Sequence, residues 1–170
     1  MIGTLQKYEL KKITSYIKDA ETKVSPFLNK FGYSLTIEDT CLPNNRIGEY
    51  EAGSVFEKDI IVRIDSRKIR RITGKDNPYR ETDVNEQIQL TVFHETGHAL
   101  MEQLIDWAEY LPEAEELVNG PFGKKYFDIF NDDRIDEETI VERFANAFFD
   151  KSPSLLQNCF EEMSVLLESA

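Results

Sequence analysis

Hydrophobic residues near the N-terminus recur at the spacing of an α-helix. This spacing predicts an amphipathic helix whose apolar face holds Ile13, Tyr16, Ile17, Ala20 and Val24. Ser25-Pro26 is typical of the cap and first position of a helix. We therefore predict that a second, short helix follows and ends before Gly32.

The pattern then changes to the two-residue period of β-strands. Apolar Tyr33, Leu35 and Ile37 alternate with polar neighbours, which predicts a strand. Segments 49–56 and 60–65 flank a short charged turn and predict a hairpin. About three strands are therefore expected, in an antiparallel or mixed sheet.

From Asp83 onward the pattern is helical. A helix from Asp83 to about Gln103 is apolar nearly all round, which is typical of a buried helix, and Asp83 with Glu86 has capping-box spacing. Another helix is expected over Asp136–Asp150, and Ser152-Pro153 precedes the last one. The predicted fold class is α+β, with residues 1–170 forming a single domain whose C-terminal half is helical.

Composition narrows the class of protein. The chain has 170 residues, of which 41% are hydrophobic and 31% charged, which excludes collagen-like, disulfide-scaffold and largely disordered classes. No apolar run approaches the roughly 20 residues of a membrane helix. The first residues also lack the apolar core of a signal peptide, so we expect a cytoplasmic protein with Cys41 and Cys159 reduced.

The net charge of −12 comes from residues 101–170, because residues 1–100 hold equal numbers of acidic and basic side chains. Such a half repels phosphate backbones, so direct nucleic-acid binding is not expected. The basic segment between Arg63 and Arg80 is the local exception. It is predicted to be either a solvated loop or a docking strip for an acidic partner.

The two histidines of the chain lie four residues apart, in the string His94-Glu95-Thr96-Gly97-His98. This HExxH pattern falls on the predicted buried helix, where residues four apart share a face and can bind one zinc ion. Glu95 is rotated by about 100° from His94, so it can reach a water on that metal as a general base. The alternative is a pair of core histidines bonded to backbone carbonyls.

A zinc site that keeps a position open for water needs a third protein ligand. No histidine remains and no cysteine lies near the motif, so we predict Asp or Glu. We favour Glu142, because Ala145 and Phe149 beside it on the predicted helix are apolar. Asn146, one turn beyond, is predicted to orient a ligand imidazole. The other candidates for the third ligand are Glu138, Asp133 and Asp132.

These motifs resemble those of the gluzincin metallopeptidases, in particular the small ImmA/IrrE-type zincin-like domains. The resemblance covers roughly residues 28–156 and rests on the strand 60–65, on HETGH and on a downstream string similar to E-x-E-A-(N/D)-x-F-A. Phe144 stands where that string has its second Glu. The residues that match the string are Glu142, Ala145, Asn146 and Phe148.

The resemblance implies a zincin-like fold and a zinc-dependent endopeptidase that hydrolyses an intracellular protein, such as a helix-turn-helix repressor. A substrate would pair with one strand of the hairpin 49–65. The alternatives are a catalytically silent zinc-binding module that pairs with a regulatory protein, and a purely structural protein. A donor for the transition-state oxyanion is expected from Tyr79, Tyr110, Tyr126 or Arg143.

Overall fold

The computed structural model describes residues 2–73 and 81–169, which form a mixed α+β fold, as predicted. In chain order its elements are α1 (Ile2–Lys30), β1 (Ser34–Asp39), β2 (Gly48–Ala52), β3 (Asp59–Ile64), α2 (Ser66–Thr73), α3 (Glu81–Tyr110), α4 (Pro112–Asn119), α5 (Pro121–Phe130), α6 (Glu137–Asp150) and α7 (Leu155–Glu168). No helix within these described ranges is long and apolar enough to cross a membrane.

The sheet has the strand order β1-β3-β2 and is mixed. β3 pairs in parallel with β1 and antiparallel with β2, so the predicted hairpin is confirmed. Ile60, Val62 and Ile64 of β3 are fully buried against the helices. β2 is an edge strand of this sheet, and its position decides what lies beside the functional residues.

α1 is one continuous helix, so the prediction of a separate helix starting at Ser25-Pro26 was wrong. Pro26 lacks the N–H for one helical hydrogen bond, which usually ends or kinks a helix. Here a single buried row, Ala20, Val24 and Leu28, continues across the proline. Burial of this row on both sides of Pro26 outweighs the lost hydrogen bond.

α3 is the buried central helix that the sequence predicted, but it is longer at both ends. It begins at Glu81, so Asp83 lies inside the helix and the predicted capping box there was wrong. It continues to Tyr110 because Leu104 and Trp107 extend the buried stripe beyond Gln103. Its 30 residues pass the sheet on one side and α6 on the other.

The basic segment between Arg63 and Arg80, predicted to be a solvated loop or a docking strip, is not a loop up to Thr73, because Arg63 lies in β3. Residues 66–73 form α2, whose Ile69 is buried in the core. Asp65 caps this helix, because its Oδ1 accepts a hydrogen bond from the Lys68 backbone N–H at 3.1 Å. Residues 74–80 of the segment lie outside the described residues.

α6 packs against α3 at Gly97, inside the HExxH string. A Cβ atom placed on Gly97 would lie 3.0 Å from side-chain carbons of both Val141 and Phe144, so these side chains would have to shift to admit one. Asp136 caps α6 by accepting from the Thr139 backbone N–H at 2.8 Å, close to the predicted start. The close approach at Gly97 brings the first turn of α6 beside the two histidines.

Candidate metal centre

His94 and His98 lie one turn apart on the same face of α3, as predicted, with their Nε2 atoms 3.2 Å apart. Both side chains are half-buried. Val92 and Phe93, which precede them, are fully buried and fix the rotation of the helix. Packing of the core therefore directs both imidazoles to one point at the surface.

Glu138, in the first turn of α6, brings a carboxylate to that point. Its Oε2 lies 3.0 Å from Nε2 of His94, and its Oε1 lies 2.8 Å from Nε2 of His98. The donor atoms of these three residues all lie within 4.8 Å of one another. Two imidazole nitrogens and one carboxylate are a donor set that zinc uses when one position stays open for water.

Glu142, favoured from the sequence, lies one turn further along α6 and is exposed. It is outside the group of donor atoms around the histidines, although its charge still acts on His94. The position of Val141 accounts for the closeness of Glu138 to the histidines. Val141 faces Gly97 on α3, and Glu138 precedes Val141 by three residues on the same face of α6. The geometry thus favours Glu138, while the ligand role of Glu142 stays a prediction.

The other two acidic candidates lie in the connection between α5 and α6. Neither Asp132 nor Asp133 belongs to the group around the histidines. Asp132 accepts hydrogen bonds from the guanidinium of Arg134 at 2.9 and 3.0 Å. This ion pair lowers the pKa of Asp132 and holds it in its own loop.

Glu137 forms a hydrogen bond with Nδ1 of His98, the ring nitrogen that faces away from Glu138. Its Oε1 lies 2.9 Å from Nδ1 of that ring, an arrangement in which a carboxylate fixes the tautomer and direction of a ligand imidazole. Asn146, predicted for such a role, instead donates to the backbone carbonyl of Glu142 at 2.9 Å. Glu137 was missed because the sequence does not fix which turn of α6 reaches α3.

The electrostatics of His94 favour its neutral form. Burial lowers its pKa most, the neighbouring His98 adds to that effect, and Glu138 opposes it. A neutral imidazole has the free nitrogen lone pair that a metal needs. The site therefore offers His94 in its ligating state near neutral pH.

Glu95 is half-buried between α3 and β2. Burial raises its pKa most; His98 opposes this, while the carboxylates of Glu138 and Glu49 add to it. A raised pKa brings a carboxylate closer to the working range of a general base at neutral pH. Gly48 of β2 permits this placement, because a Cβ there would lie 2.9 Å from Cγ of Glu95.

An open cleft of about 570 Å³ lies over these residues. β2 forms one wall of the cleft, and α3 with the first turn of α6 forms the other. Tyr50 of β2 stacks on His98, with ring centroids 5.8 Å apart and an angle of 12° between the planes. The sequence signal for Tyr50 was the two-residue alternation of strand side chains, which places Tyr50 on the same sheet face as Gly48.

The predicted oxyanion donors lie elsewhere where the structure describes them. Tyr126 is buried and donates its hydroxyl to Glu162 at 2.5 Å, and Tyr110 is 68% exposed at the end of α3. Arg143 is exposed on α6 and does not line the cleft. Tyr79 lies outside the described residues. Tyr50 is the tyrosine that the described part of the cleft wall offers.

Comparison with protein-family models, with curated proteins and with solved structures found no match to this chain. The structural basis for a function is therefore the site itself: two histidines and a carboxylate around one point, with Glu95 and an edge strand beside them.

Proposed function

We propose that the protein is a zinc-dependent endopeptidase of the gluzincin type, acting on an intracellular protein such as a helix-turn-helix repressor. The observation that carries the proposal is the convergence of His94, His98 and Glu138 with Glu95 in one cleft. The repressor is suggested only by the resemblance of the sequence to ImmA/IrrE-type domains.

The donor set suits zinc better than calcium or magnesium. Imidazole nitrogens are zinc ligands, whereas calcium and magnesium sites are built from oxygen atoms. His94, His98 and Glu138 would hold the ion, and Glu137 would fix the orientation of His98. When bound, zinc supplies Lewis acidity that lowers the pKa of a coordinated water toward about 7.

Two residues of the chain have separate roles in the proposed hydrolysis. Glu95 accepts a proton from the attacking water and delivers it to the amine that leaves. Tyr50, beside His98, is placed to donate a hydrogen bond to the carbonyl oxygen as negative charge develops there. Burial of Tyr50 raises its pKa, as do nearby carboxylates including Glu102, so the phenol keeps its proton at neutral pH.

The edge strand β2 supports a peptide as substrate. β3 occupies one edge of β2, and the described residues supply no strand for the other. An extended peptide added there would gain backbone hydrogen bonds independent of its side chains. This arrangement favours hydrolysis within an extended or unfolded segment of a protein.

Zinc content is the direct test of the metal centre. We expect about one zinc per chain by elemental analysis after purification without chelator. His94→Ala and His98→Ala should each lose the metal and the cleavage of an unfolded protein mixture together. A content near zero that added zinc does not raise would contradict the proposal.

A second experiment identifies the third ligand. Glu138→Ala is expected to weaken zinc binding by at least the 10–100-fold typical of supporting partners, and Glu142→Ala by less. Competition with a chromogenic chelator measures both variants. The opposite ranking would restore Glu142 as the ligand and show that Glu138 serves only to bond the histidines.

A zinc-binding module without turnover is the second candidate. One observation favours it: Tyr110, Tyr126 and Arg143, the described donors expected from the sequence, do not line the cleft. Such a module would bind zinc and its partner but show no cleavage that depends on Glu95. Cleavage by Glu95→Gln, compared with cleavage by the wild-type protein, separates the two candidates.

A further inference from the structure

The whole of β2 runs alongside the middle part of α3, and the two elements run in the same direction. Its first residue, Gly48, lies against Glu95, and Tyr50 stacks on His98. Just beyond β2, the backbone carbonyls of Gly53 and Ser54 accept hydrogen bonds from the buried amide of Gln103. Each position along the edge strand can therefore be matched to a position along α3.

The two ends of this path differ in charge. At the start of β2, Arg46 lines the cleft and pairs with Glu49 at 3.6 Å. At the other end, Glu102 and Asp106 continue the helix face of His98 by one and two turns. In the described part of the chain no ion pair joins either of these two carboxylates to a basic side chain.

The carboxylates of β2 itself have basic partners. Arg63, which also pairs with Glu38, pairs with Glu51 at 2.9 Å and with Glu49 at 3.6 Å, on the sheet face opposite to Gly48 and Tyr50. Since Glu102 and Asp106 have no such partner among the described residues, the negative charge on α3 beyond His98 is uncompensated. The pKa of Glu102 is raised, first by partial burial and then by the negative charges of nearby Asp106 and Glu137.

The direction of a bound peptide relates these ends to the bond that is cleaved. Antiparallel pairing is the more stable arrangement at a sheet edge. A peptide antiparallel to β2 has its N-terminal part near Ala52 and its C-terminal part near Arg46. Residues preceding the bond at the histidines would thus pass Glu102 and Asp106.

We infer that Glu102 and Asp106 make the site selective for peptides with Lys or Arg a few residues before the cleaved bond. The inference rests on the proposed function and names the substrate class. At the strand rise of about 3.3 Å and the helix rise of about 1.5 Å per residue, the two carboxylates lie about two to five residues before the histidines' position.

Peptide binding tests this without requiring cleavage. The probes are two fluorescein-labelled ten-residue peptides of the same composition, with three lysines in either the N-terminal or the C-terminal half. They are titrated by anisotropy into the zinc-loaded Glu95→Gln protein. Because their net charges are equal, attraction to the overall charge of −12 cancels in the comparison.

We expect the peptide with N-terminal lysines to bind about two- to five-fold tighter, the ratio typical of exposed ion pairs. The difference should vanish in Glu102→Gln/Asp106→Asn and persist in the control Glu86→Gln. Glu86 is an exposed acid of the same helix, about 24 Å from Glu102 by helical rise.

Equal affinities, tighter binding of the other peptide, no binding of either, or a difference that persists in the double variant would each overturn the inference. Cleavage by the wild-type protein is measured separately. A charge preference without cleavage would refute the endopeptidase and leave Glu102 and Asp106 as the residues that select basic peptides for binding beside the histidines. Cleavage without the charge preference would support the endopeptidase and overturn the role of Glu102 and Asp106.

Discussion

Glu95→Gln should lower peptide cleavage by at least about 10²-fold while zinc content and thermal stability stay close to wild type. Glutamine keeps the size of the side chain and its place beside Gly48. It cannot take up the proton of the attacking water, and general-base assistance typically contributes about 10²–10⁴-fold. Mass spectrometry of an unfolded protein mixture, with metal analysis of the same sample, measures both quantities.

Glu86→Gln is the matched control, because it removes a carboxylate from α3 far from the cleft. It should cleave at the wild-type rate. Full activity in Glu95→Gln would refute the hydrolytic mechanism. Loss of zinc in that variant would instead give Glu95 a structural role and favour the module without turnover.

Phe144→Ala is expected to destabilise the protein by about 3–5 kcal/mol, the usual cost of removing a buried phenylalanine. The side chain is fully buried and lies against Gly97, where α6 and α3 approach closely. Its ring also packs edge-on against Phe27 at 5.8 Å and Phe148 at 5.1 Å. The lost contacts therefore loosen α6 from both α1 and α3.

Denaturant unfolding followed by circular dichroism gives this free energy. The control is Phe56→Ala, which removes the same group from a side chain that is 78% exposed and should change stability by less than about 0.5 kcal/mol. A loss below about 1 kcal/mol for Phe144→Ala would mean that α6 does not depend on this contact.

The parts of the site that could be predicted are local in sequence. His94, Glu95 and His98 lie on one stretch of α3, so helical periodicity alone fixes which of them share a face. The hairpin of β2 and β3 was predictable for the same reason, because its alternation and turn are contained in adjacent segments.

The parts that could not be predicted depend on how separate elements pack. Which of Glu138 and Glu142 lies beside the histidines depends on where α6 meets α3, at Gly97, some 40 residues away in the chain. Likewise, α1 continues through Pro26 because the core buries residues on both sides of it. Local propensity describes one helix at a time and contains no such information.

The contact at Gly97 also bears on how the protein would take up the proposed zinc ion. Hydrocarbon packing of Val141 and Phe144, rather than coordination, sets the separation of the two helices that carry His94, His98 and Glu138. These proposed ligands would thus be preorganised, and little free energy of binding would be consumed in ordering the chain. Because the Glu138 side chain is 65% exposed, an ion bound there could enter and leave without opening the core. The proposed zinc would therefore exchange quickly with a chelator, and its removal would abolish the proposed cleavage without unfolding the protein.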